Sequence, residues 1–348
     1  MQTDQLDYHL PPGRIAQVPA EPRDASRLMR LGRRTGALSH HRFTELPDLL
    51  APGDALVINR TRVLPARFSA YRPGGGRIDG LFLASPSIGT WTVLLRGRGR
   101  LAEGQVLRLR DAAATSLRLQ AHAGRGHWTI SVDPPAPAAE ILSQVGRPPL
   151  PPYIRRRHDD PAELVGLDRR RYQTVYAADD GSVAAPTAGL HFTDAVLDRC
   201  RAAGITILPL TLHVGLGTFQ PIATDRLEDH HMHSEHYDLP TATADALNRT
   251  RAAGGRIVAV GTTVVRCLES RLEQGRFNPG VGQTELFIYG DYVIRSIDAL
   301  VTNFHLPRST LLAMVGAFAG LPRVLAAYRT AIEAGYRFYS YGDAMLIV

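Results

Sequence analysis

The chain of 348 residues contains no lysine, and all forty of its basic residues are arginine. Without lysine it has neither the lysine of a phosphate-binding P-loop nor a lysine that could form a Schiff base with a substrate. Arginine binds phosphate through two parallel hydrogen bonds, and the formal net charge of +7 favours a polyanionic partner. The missing lysine therefore excludes two kinds of enzyme and leaves nucleic acid as a plausible partner.

Cysteine is almost absent, because Cys200 and Cys267 are the only two. They cannot build a cysteine-rich zinc site, and both fall in helical patterns where we expect small, partly buried side chains. No apolar run approaches the roughly 20 residues of a transmembrane helix. The N-terminal sequence lacks the basic and apolar regions of a secretory signal. We therefore expect a cytoplasmic protein without a membrane partner.

Two patterns divide the chain. Between residues 68 and 149, short alternating segments such as RIDGLFLA and TWTVLLRG are separated by Gly, Pro and Asp, which predicts a small antiparallel β-barrel. Elsewhere helical and strand patterns alternate, which predicts a parallel or mixed sheet with helices on its faces. The predicted fold is α/β, with residues 1–67 and 150–348 forming the catalytic domain and residues 68–149 an inserted barrel domain.

Polar residues and glycines follow four predicted strands. Ligands of open α/β sheets bind beyond the carboxyl ends of the strands, so these residues are expected to converge. The candidates are Asn59, Thr61 and Arg62 after the first strand, His213, Gly215, Gly217 and Thr218 after the second, Gly261, Thr262, Thr263 and Arg266 after the third, and Asn303, His305, Ser309 and Thr310 after the fourth.

Two of the surrounding segments allow a functional and a structural interpretation. In GTTVVR, from Gly261 to Arg266, the start of a helix favours an anion, although either threonine could simply cap the helix. The segment GSVAAPTAGLHFT, residues 181–193, is small and nearly uncharged, so it either makes room for a flat ligand or forms a tight connection. Its candidate residues are Pro186, Thr187, Ala188, Gly189 and His191.

Arginine and tyrosine cluster in PPYIRRR and DRRRYQTVYA. Arginine can contact phosphate and tyrosine can stack on bases, a combination suited to RNA, although a solvated basic face is the structural alternative. The candidate RNA contacts are Tyr153, Arg155, Arg156, Arg170, Arg171 and Tyr172.

The segment DHHMHSEHYD, residues 229–238, contains four of the thirteen histidines. Such a cluster is compatible with a zinc site, with proton transfer, or with a crowded exposed turn. A metal-dependent hydrolase and a non-catalytic RNA-binding protein therefore remain alternatives to a metal-free enzyme.

Taken together, the motifs resemble the S-adenosylmethionine:tRNA ribosyltransferase-isomerase family of queuosine biosynthesis. The resemblance runs through PGDALVINRTRVLPAR, RYQTVYA, GSVAAPTAGLHFT, TLHVGLGTFQPI, MHSEHYDLP, VGTTVVRCLES and VTNFHLPRSTLL, and covers nearly the whole chain. It implies transfer and isomerisation of the ribosyl part of S-adenosylmethionine onto 7-aminomethyl-7-deazaguanine at the wobble position of tRNA. The implied products are epoxyqueuosine in tRNA, adenine and methionine.

The resemblance also implies site residues. It places His191, His213, His233, Glu235 and His305 around the reacting sugar, with the strand-end and small-residue candidates holding S-adenosylmethionine or the deazaguanine. His231 and His236 fall where the family commonly has Arg and Tyr, and are expected to be incidental. S-adenosylmethionine is then a co-substrate, no cofactor or metal is expected, and the chain is expected to be a monomer. Arg60 and Asp79 depart from the family pattern, which usually has an acidic residue and Glu there.

Overall fold

The structure is a computed structural model that describes residues 1–112, 114–157, 160–215 and 221–348. Within these ranges the chain forms two compact units. One contains Met1–Arg62, Pro151–Arg156 and Gln173–Val348, and the other contains Val63–Leu150 and Arg157–Tyr172. The domain boundaries expected from the sequence, with the inserted domain at residues 68–149, stay a prediction.

The strands and helices have the following bounds. The strands are β1 Arg27–Leu31, β2 Leu38–Arg42, β3 Ala55–Asn59, β4 Thr61–Val63, β5 Arg67–Tyr71, β6 Arg77–Ser87, β7 Thr90–Gly97, β8 Val106–Leu109, β9 Ser116–Gly124, β10 His127–Asp133, β11 Asp179–Ser182, β12 Thr206–Leu212, β13 Glu235–Leu239, β14 Ile257–Val260, β15 Leu272–Glu273, β16 Arg276–Phe277, β17 Gly280–Thr284, β18 Ala299–Asn303 and β19 Ala344–Ile347. The helices are α1 Leu46–Leu49, α2 Ala138–Val145, α3 Ala162–Arg171, α4 Asp194–Ala202, α5 Thr241–Ala252, α6 Thr262–Ser270, α7 Thr310–Ala319 and α8 Leu321–Glu333.

A mixed sheet forms the centre of the first unit. Among the described residues it has nine strands in the order β17-β13-β12-β3-β14-β18-β19-β1-β2. The neighbours from β12 through β3 and β14 to β18 are parallel, and antiparallel pairs flank them. Because parallel strands end at the same edge, the residues that follow β12, β3, β14 and β18 share one edge of the sheet.

Both faces of this sheet are covered. Along β3 the side chains alternate, with Ala55 and Val57 in one hydrophobic cluster and Leu56 and Ile58 in the other. The first cluster includes side chains of α5, α6, α7 and α8, and the second those of α4. All five residues of β3 are buried, as is typical of a parallel strand between two layers of helices.

The helix ends follow their sequence signals to different extents. The Thr193 side chain accepts a hydrogen bond from the Val196 N–H, 3.2 Å away, so it caps α4 as predicted. Ser309 caps α7 in the same way through the Leu312 N–H. Helix α6 has no capping side chain, because the residue before it is Gly261, whose φ of +91° favours glycine.

The second unit contains the predicted barrel. Six antiparallel strands close in the order β10-β7-β6-β5-β8-β9. Its interior includes Trp91, whose ring meets those of Phe68 and Phe82 edge to face at 5.9 and 5.4 Å between centroids. Strand β5 begins at Arg67, one residue before the predicted start of the barrel domain at residue 68. The predicted fold class, a mixed sheet flanked by helices with a small antiparallel barrel, is confirmed.

Cys200 and Cys267 are buried free thiols in α4 and α6. Burial raises the pKa of Cys200 to about 11 and that of Cys267 to about 12. Both therefore stay protonated near neutral pH, as small hydrophobic core side chains.

Within the described ranges, no one helix is both long and apolar enough to cross a membrane. Helices α7 and α8 together reach that length and composition, but they bend by 112° where they meet.

Candidate active site

A small cavity lies at the edge of the sheet where β14 and β18 end. It brings together three predicted groups: the small-residue segment, the start of α6 and the residues after β18. The lining residues are Ala185, Pro186, Thr187, Ala188, Val214, Gly261, Thr262, Thr263, Thr302, Asn303, His305 and Leu311. A second cavity shares Thr262, Thr263 and Leu311 with the first and adds Met232, Arg266, Leu286, Phe287, Ile288, Thr310 and Met314.

The start of α6 gives both cavities a polar wall. No side chain caps this helix, so the N–H groups of its first turn are available to a ligand. The partial positive charge of a helix N-terminus favours an anion such as a carboxylate. Thr310 is 4% exposed, and its hydroxyl oxygen has no hydrogen-bond partner among the described residues. This part of the site is suited to an anionic group.

Small residues also line the first cavity. Gly189 packs against the Tyr176 side chain so closely that a Cβ there would lie 2.1 Å from the Tyr176 hydroxyl oxygen. Ala188 lies over Gly261, with 3.6 Å between its Cβ and the position of a Cβ at the glycine. A larger side chain at position 188 would fill the space beside Gly261, whereas any side chain at position 189, which does not line the cavity, would meet Tyr176.

His191 is buried and held on both ring nitrogens. Its Nδ1 lies 2.7 Å from Ser26 Oγ and its Nε2 lies 3.1 Å from Asn303 Nδ2. Its ring stacks on Phe43 at 5.1 Å. Burial, together with Arg337 and Arg23, lowers the pKa of His191 to about 3. The ring is therefore neutral near pH 7, and it reaches the cavity only through Asn303.

His305 lines the cavity directly and is equally buried. Its Nε2 lies 2.8 Å from Thr302 Oγ1. The Tyr328 hydroxyl is 3.0 Å from the His305 N–H, and the Tyr8 hydroxyl donates to the His305 carbonyl. Burial lowers the pKa of His305 to about 3. His305 is thus a neutral hydrogen-bonding group in this state of the site.

Glu235 is buried against Arg266 in an ion pair that joins β13 to α6. One carboxylate oxygen accepts a hydrogen bond from the Gly215 N–H at 2.9 Å, and the other accepts from Arg266. Arg266 also donates to the carbonyl oxygens of Leu286 and Thr284, each at 3.1 Å. This pair holds the start of the segment after β12 beside α6.

His213 follows β12 and is half-buried. Its Nδ1 lies 2.8 Å from Thr61 Oγ1, and a Cβ at Gly181 would lie 2.9 Å from its Cε1. Burial lowers the pKa of His213 while the nearby Asp179 raises it, and the net direction is downward. Of the three histidines after or near strand ends, His213 is the one open to solvent.

Asn59 is buried and mainly joins two strands. Its Nδ2 donates to the Leu212 carbonyl at 2.9 Å and to Thr263 Oγ1 at 3.2 Å, and its Oδ1 accepts from the N–H groups of Thr61 and Leu212. The amide therefore positions Thr263 at the start of α6. Asn59 does not line either cavity.

Two arginines near β4 lie on an outer side of this region. Arg60, the departure from the family pattern, binds Asp179 with 2.7 Å between Arg60 Nε and Asp179 Oδ2. Burial by itself raises the pKa of Asp179, but hydrogen bonds from Thr211 and Arg60 outweigh it and lower the pKa. Arg62 is exposed, lies 3.5 Å from Asp180 and donates to the Ala177 carbonyl.

The histidine segment does not form a metal centre among the described residues, in which no group of three His, Cys, Asp or Glu side chains could hold an ion. His231, His233 and His236 are exposed. His230 is half-buried with its ring edge to face on Phe287 at 5.3 Å. From Glu235 onward the segment is strand β13, in which Glu235 is buried. Gly217 and Thr218, which were predicted to bind substrate, lie outside the described residues.

The residues predicted to contact RNA differ in exposure. Arg155 and Arg170 are exposed, while Arg156 and Tyr153 are half-buried. Arg156 donates to the Gln17 carbonyl at 2.8 Å, and the Tyr153 ring packs edge to face on Tyr339. Arg171 and Tyr172 are 8% and 1% exposed, so the prediction that their side chains present a surface to RNA does not fit their burial. They end α3, where tertiary packing covers them.

Sequence reasoning missed three residues that organise the site, namely Ser26, Thr302 and Tyr339. Ser26 stands in DASRLM with no local signal, and it contacts His191 across 165 positions of sequence. Thr302 had a signal, because it ends a predicted strand three residues before His305.

Comparison with known proteins identifies the family. The model of the family described as queuosine biosynthesis protein matches residues 3–347. The chain belongs to this family. It is 50% identical over 353 residues to the S-adenosylmethionine:tRNA ribosyltransferase-isomerase of Anaeromyxobacter dehalogenans strain 2CP-C, with 100% of this chain and 99% of the relative covered. It is 48% identical over 351 residues to the enzyme of the same name from Moorella thermoacetica, with both chains covered completely.

A solved structure agrees with these relatives. The crystal structure of S-adenosylmethionine tRNA ribosyltransferase from Thermotoga maritima matches with a TM-score of 0.56 and 37% identity, covering 99% of this chain and 100% of that one. The family predicted from the sequence motifs is therefore confirmed.

Proposed function

We propose that the cavity at the carboxyl ends of β14 and β18 binds S-adenosylmethionine for transfer of its ribosyl part to tRNA. The family and the names of the full-length relatives confirm the predicted function, that of an S-adenosylmethionine:tRNA ribosyltransferase-isomerase in queuosine biosynthesis. The enzyme transfers and isomerises the ribosyl moiety onto 7-aminomethyl-7-deazaguanine at the wobble position, which gives epoxyqueuosine in tRNA and releases adenine and methionine. The placement of the reaction within this chain is the proposal.

One observation carries this placement. The uncapped start of α6, the buried hydroxyl of Thr310 and the neutral His305 and Asn303 line two adjoining cavities together with a wall of small residues. An anionic methionine carboxylate fits the helix start, and a flat adenine fits beside the small residues. The same place thus offers groups for both ends of S-adenosylmethionine.

We assign roles in proton transfer to the candidate residues according to how deeply each is buried. Loss of adenine begins with removal of a proton from the acidic carbon beside the sulfonium, which requires a base. His213 lines neither cavity, but it precedes Val214, which lines the first, and its half-exposed ring can exchange protons with solvent, so we assign the base role to it. His305 is the neutral hydrogen-bonding group beside the sugar, and His191 acts through Asn303. Glu235, held by Arg266 and Gly215, anchors the site, and His233 remains a candidate for a further proton transfer.

The decisive experiment is incubation of the chain with S-adenosylmethionine and tRNA carrying the 7-aminomethyl-7-deazaguanine base, followed by mass spectrometry of the nucleosides. We expect conversion of that base to epoxyqueuosine with one adenine released for each conversion. A His213→Gln variant should release adenine at least about a hundredfold more slowly, the usual contribution of a general base. Adenine release at the normal rate by this variant would remove His213 from the mechanism.

The proposal includes the way in which tRNA binds. We expect Arg155, Arg156 and Arg170 to contact phosphates. Removing one of these contacts should reduce the salt dependence of tRNA binding, because fewer counterions are then released. We expect log K for tRNA to fall steeply and linearly with log salt, and Arg155→Ala or Arg170→Ala to reduce the slope by about 1. An affinity that does not change with salt would contradict the assignment.

The chain is further proposed to act as a monomer that needs no cofactor or metal, with S-adenosylmethionine as co-substrate. Sedimentation velocity at working concentration tests the first point, and turnover after dialysis against a chelator tests the second. A stable dimer, or a loss of activity that added metal restores, would overturn the respective statement.

A further inference from the structure

Asn303 carries a buried hydrogen-bond acceptor that no described residue satisfies. The side chain is 2% exposed, its Oδ1 has no partner, and the residue lines the cavity beside the start of α6. A buried acceptor without a donor costs free energy, and native proteins pair such atoms with a ligand, a water or another side chain. Because Asn303 lines the cavity, a ligand bound there can supply the missing donor.

The orientation of the Asn303 amide is fixed by its nitrogen. Nδ2 donates one hydrogen to His191 Nε2 at 3.1 Å and the other to the Tyr339 carbonyl oxygen at 3.2 Å. Turning the amide over would place Oδ1 against that carbonyl, so two acceptors would face each other. Tyr339 holds its carbonyl there with a φ of +75°, a left-handed conformation that is uncommon for tyrosine. Oδ1 is therefore held as an acceptor.

His191 transmits this constraint to Ser26. Because Asn303 Nδ2 is a donor, His191 Nε2 must accept, and in a neutral ring the hydrogen then lies on Nδ1. Nδ1 in turn donates to Ser26 Oγ, 2.7 Å away. The ring is stacked on Phe43, and all of these side chains except that of Tyr339 are less than 5% exposed. Ser26 Oγ thus accepts the hydrogen of the tautomer that the Asn303 amide requires, and His191 Nε2 helps to hold the amide nitrogen in place.

We propose that Asn303 Oδ1 accepts a hydrogen bond from an N–H group of S-adenosylmethionine, and that Ser26 and His191 are positioning residues that keep this acceptor turned toward the cavity. The inference rests on the proposed function and deepens it. Two groups of this substrate have the required chemistry, the exocyclic amino group of adenine and the α-ammonium group of the methionine part. Both are N–H donors of the kind that an amide oxygen accepts.

The experiment compares binding by wild type, Asn303→Leu and Ser26→Ala, with Ser26→Thr as the matched control that keeps the hydroxyl. Calorimetric titration of S-adenosylmethionine should give a Kd that is about ten to a hundred times higher for Asn303→Leu, since a buried hydrogen bond is lost. Ser26→Ala should raise the Kd about three- to tenfold, and Ser26→Thr should restore it. Nitrogen NMR of His191 should show hydrogen on Nδ1 in wild type and a shift toward Nε2 in Ser26→Ala.

Two analogues identify the donor. One has hydrogen in place of the adenine amino group, and the other lacks the α-amino group. The analogue that lacks the true donor should bind wild type more weakly than S-adenosylmethionine does. Asn303→Leu should bind this analogue and S-adenosylmethionine with the same Kd. If Asn303→Leu fails to fold, Asn303→Ala and Ser26→Ala carry the same comparison.

Three results would overturn the inference. An unchanged Kd for S-adenosylmethionine in Asn303→Leu would do so, including the case in which only the KM for tRNA rises. Equal losses by wild type and variant for both analogues would do so too, because Oδ1 would then hold only water. An unchanged His191 tautomer and Kd in Ser26→Ala would remove the positioning roles. Wild-type turnover on tRNA, measured in parallel, separates these results from a failure of the proposed function itself.

Discussion

The histidines of this chain occur in two contrasting arrangements. Four of them lie within seven residues, from His230 to His236, yet three of these four are exposed and the described residues there hold no metal-binding group. By contrast His191, His213 and His305 are far apart in the sequence, and the sheet places each of them at or near the edge where its parallel strands end. Each of these three has a ring nitrogen within hydrogen-bond distance of a hydroxyl group.

Histidines that are close together in the sequence therefore need not form a site, and histidines of one site need not be close in the sequence. A run of exposed imidazoles on an irregular segment has no fixed geometry, whereas a single histidine after a buried strand inherits the geometry of the sheet. Burial also sets the chemistry. His191 and His305 are neutral because their pKa values are near 3, and that follows from their surroundings rather than from their neighbours in sequence.

The largest expected effect concerns the one buried charge of the histidine segment. Glu235→Ala should lower the free energy of unfolding by about 3–5 kcal/mol, because it leaves Arg266 buried without its carboxylate. Urea denaturation at pH 7 measures this. His236→Ala, an exposed neighbour on the same strand, is the matched control and should change stability by less than about 0.5 kcal/mol. Similar losses for both variants would mean that the segment is stabilised evenly rather than at Glu235.

A pH series is expected to give the next largest effect. The native pKa of His305, about 3, lies below its ordinary value of 6.5, so the unfolded chain binds more protons as the pH falls from 6.5 toward 3. Stability is therefore complete above pH 6.5 and decreases on acidification, by on the order of 2 kcal/mol at pH 5 for this residue. Urea unfolding of wild type and His305→Gln at pH 7 and pH 5 should show a correspondingly smaller loss in the variant.

His231→Gln is the control for that series. Since His231 is exposed, its replacement should leave the loss of stability between pH 7 and pH 5 as it is in wild type. If His305→Gln and His231→Gln lost stability equally on acidification, the burial of His305 would not explain its neutrality.

The sequence predicted the local parts of this structure well. Strands β3, β12, β14 and β18, the barrel segments and the Thr193 cap could be predicted because hydrophobic periodicity and capping are local properties. The shared edge of the sheet followed from strand direction alone. The start of α6 and Asn303 therefore fall in the cavity as the position after a strand suggests.

The remaining features depend on contacts between distant segments, which no local pattern encodes. The contacts of Ser26 with His191 and of Glu235 with Arg266 join residues that are distant in the sequence. Tyr172 and Arg171 resemble a basic, aromatic RNA surface in sequence, but packing at the end of α3 buries them. One missed signal was local: in β13 the residues Glu235, Tyr237 and Leu239 alternate with exposed or half-buried ones, which is the pattern of a strand with a carboxylate facing inward.

The smallest effects on stability are expected for the exposed histidines of residues 229–238. Replacing these histidines also tests whether the segment takes part in the reaction. His231 and His233 are two positions apart and both exposed, so replacing either by alanine should change the free energy of unfolding by less than about 0.5 kcal/mol. From the motifs of the sequence, His233 is expected to serve the reaction and His231 to be incidental. If His233 transfers a proton, its replacement lowers kcat for adenine release by at least about a hundredfold, while His231→Ala retains the wild-type value. Because the two variants are matched in stability and exposure, any difference in kcat reports chemistry alone. Equal kcat values would place His233 among the incidental histidines and leave the three at the sheet edge as those that serve the reaction.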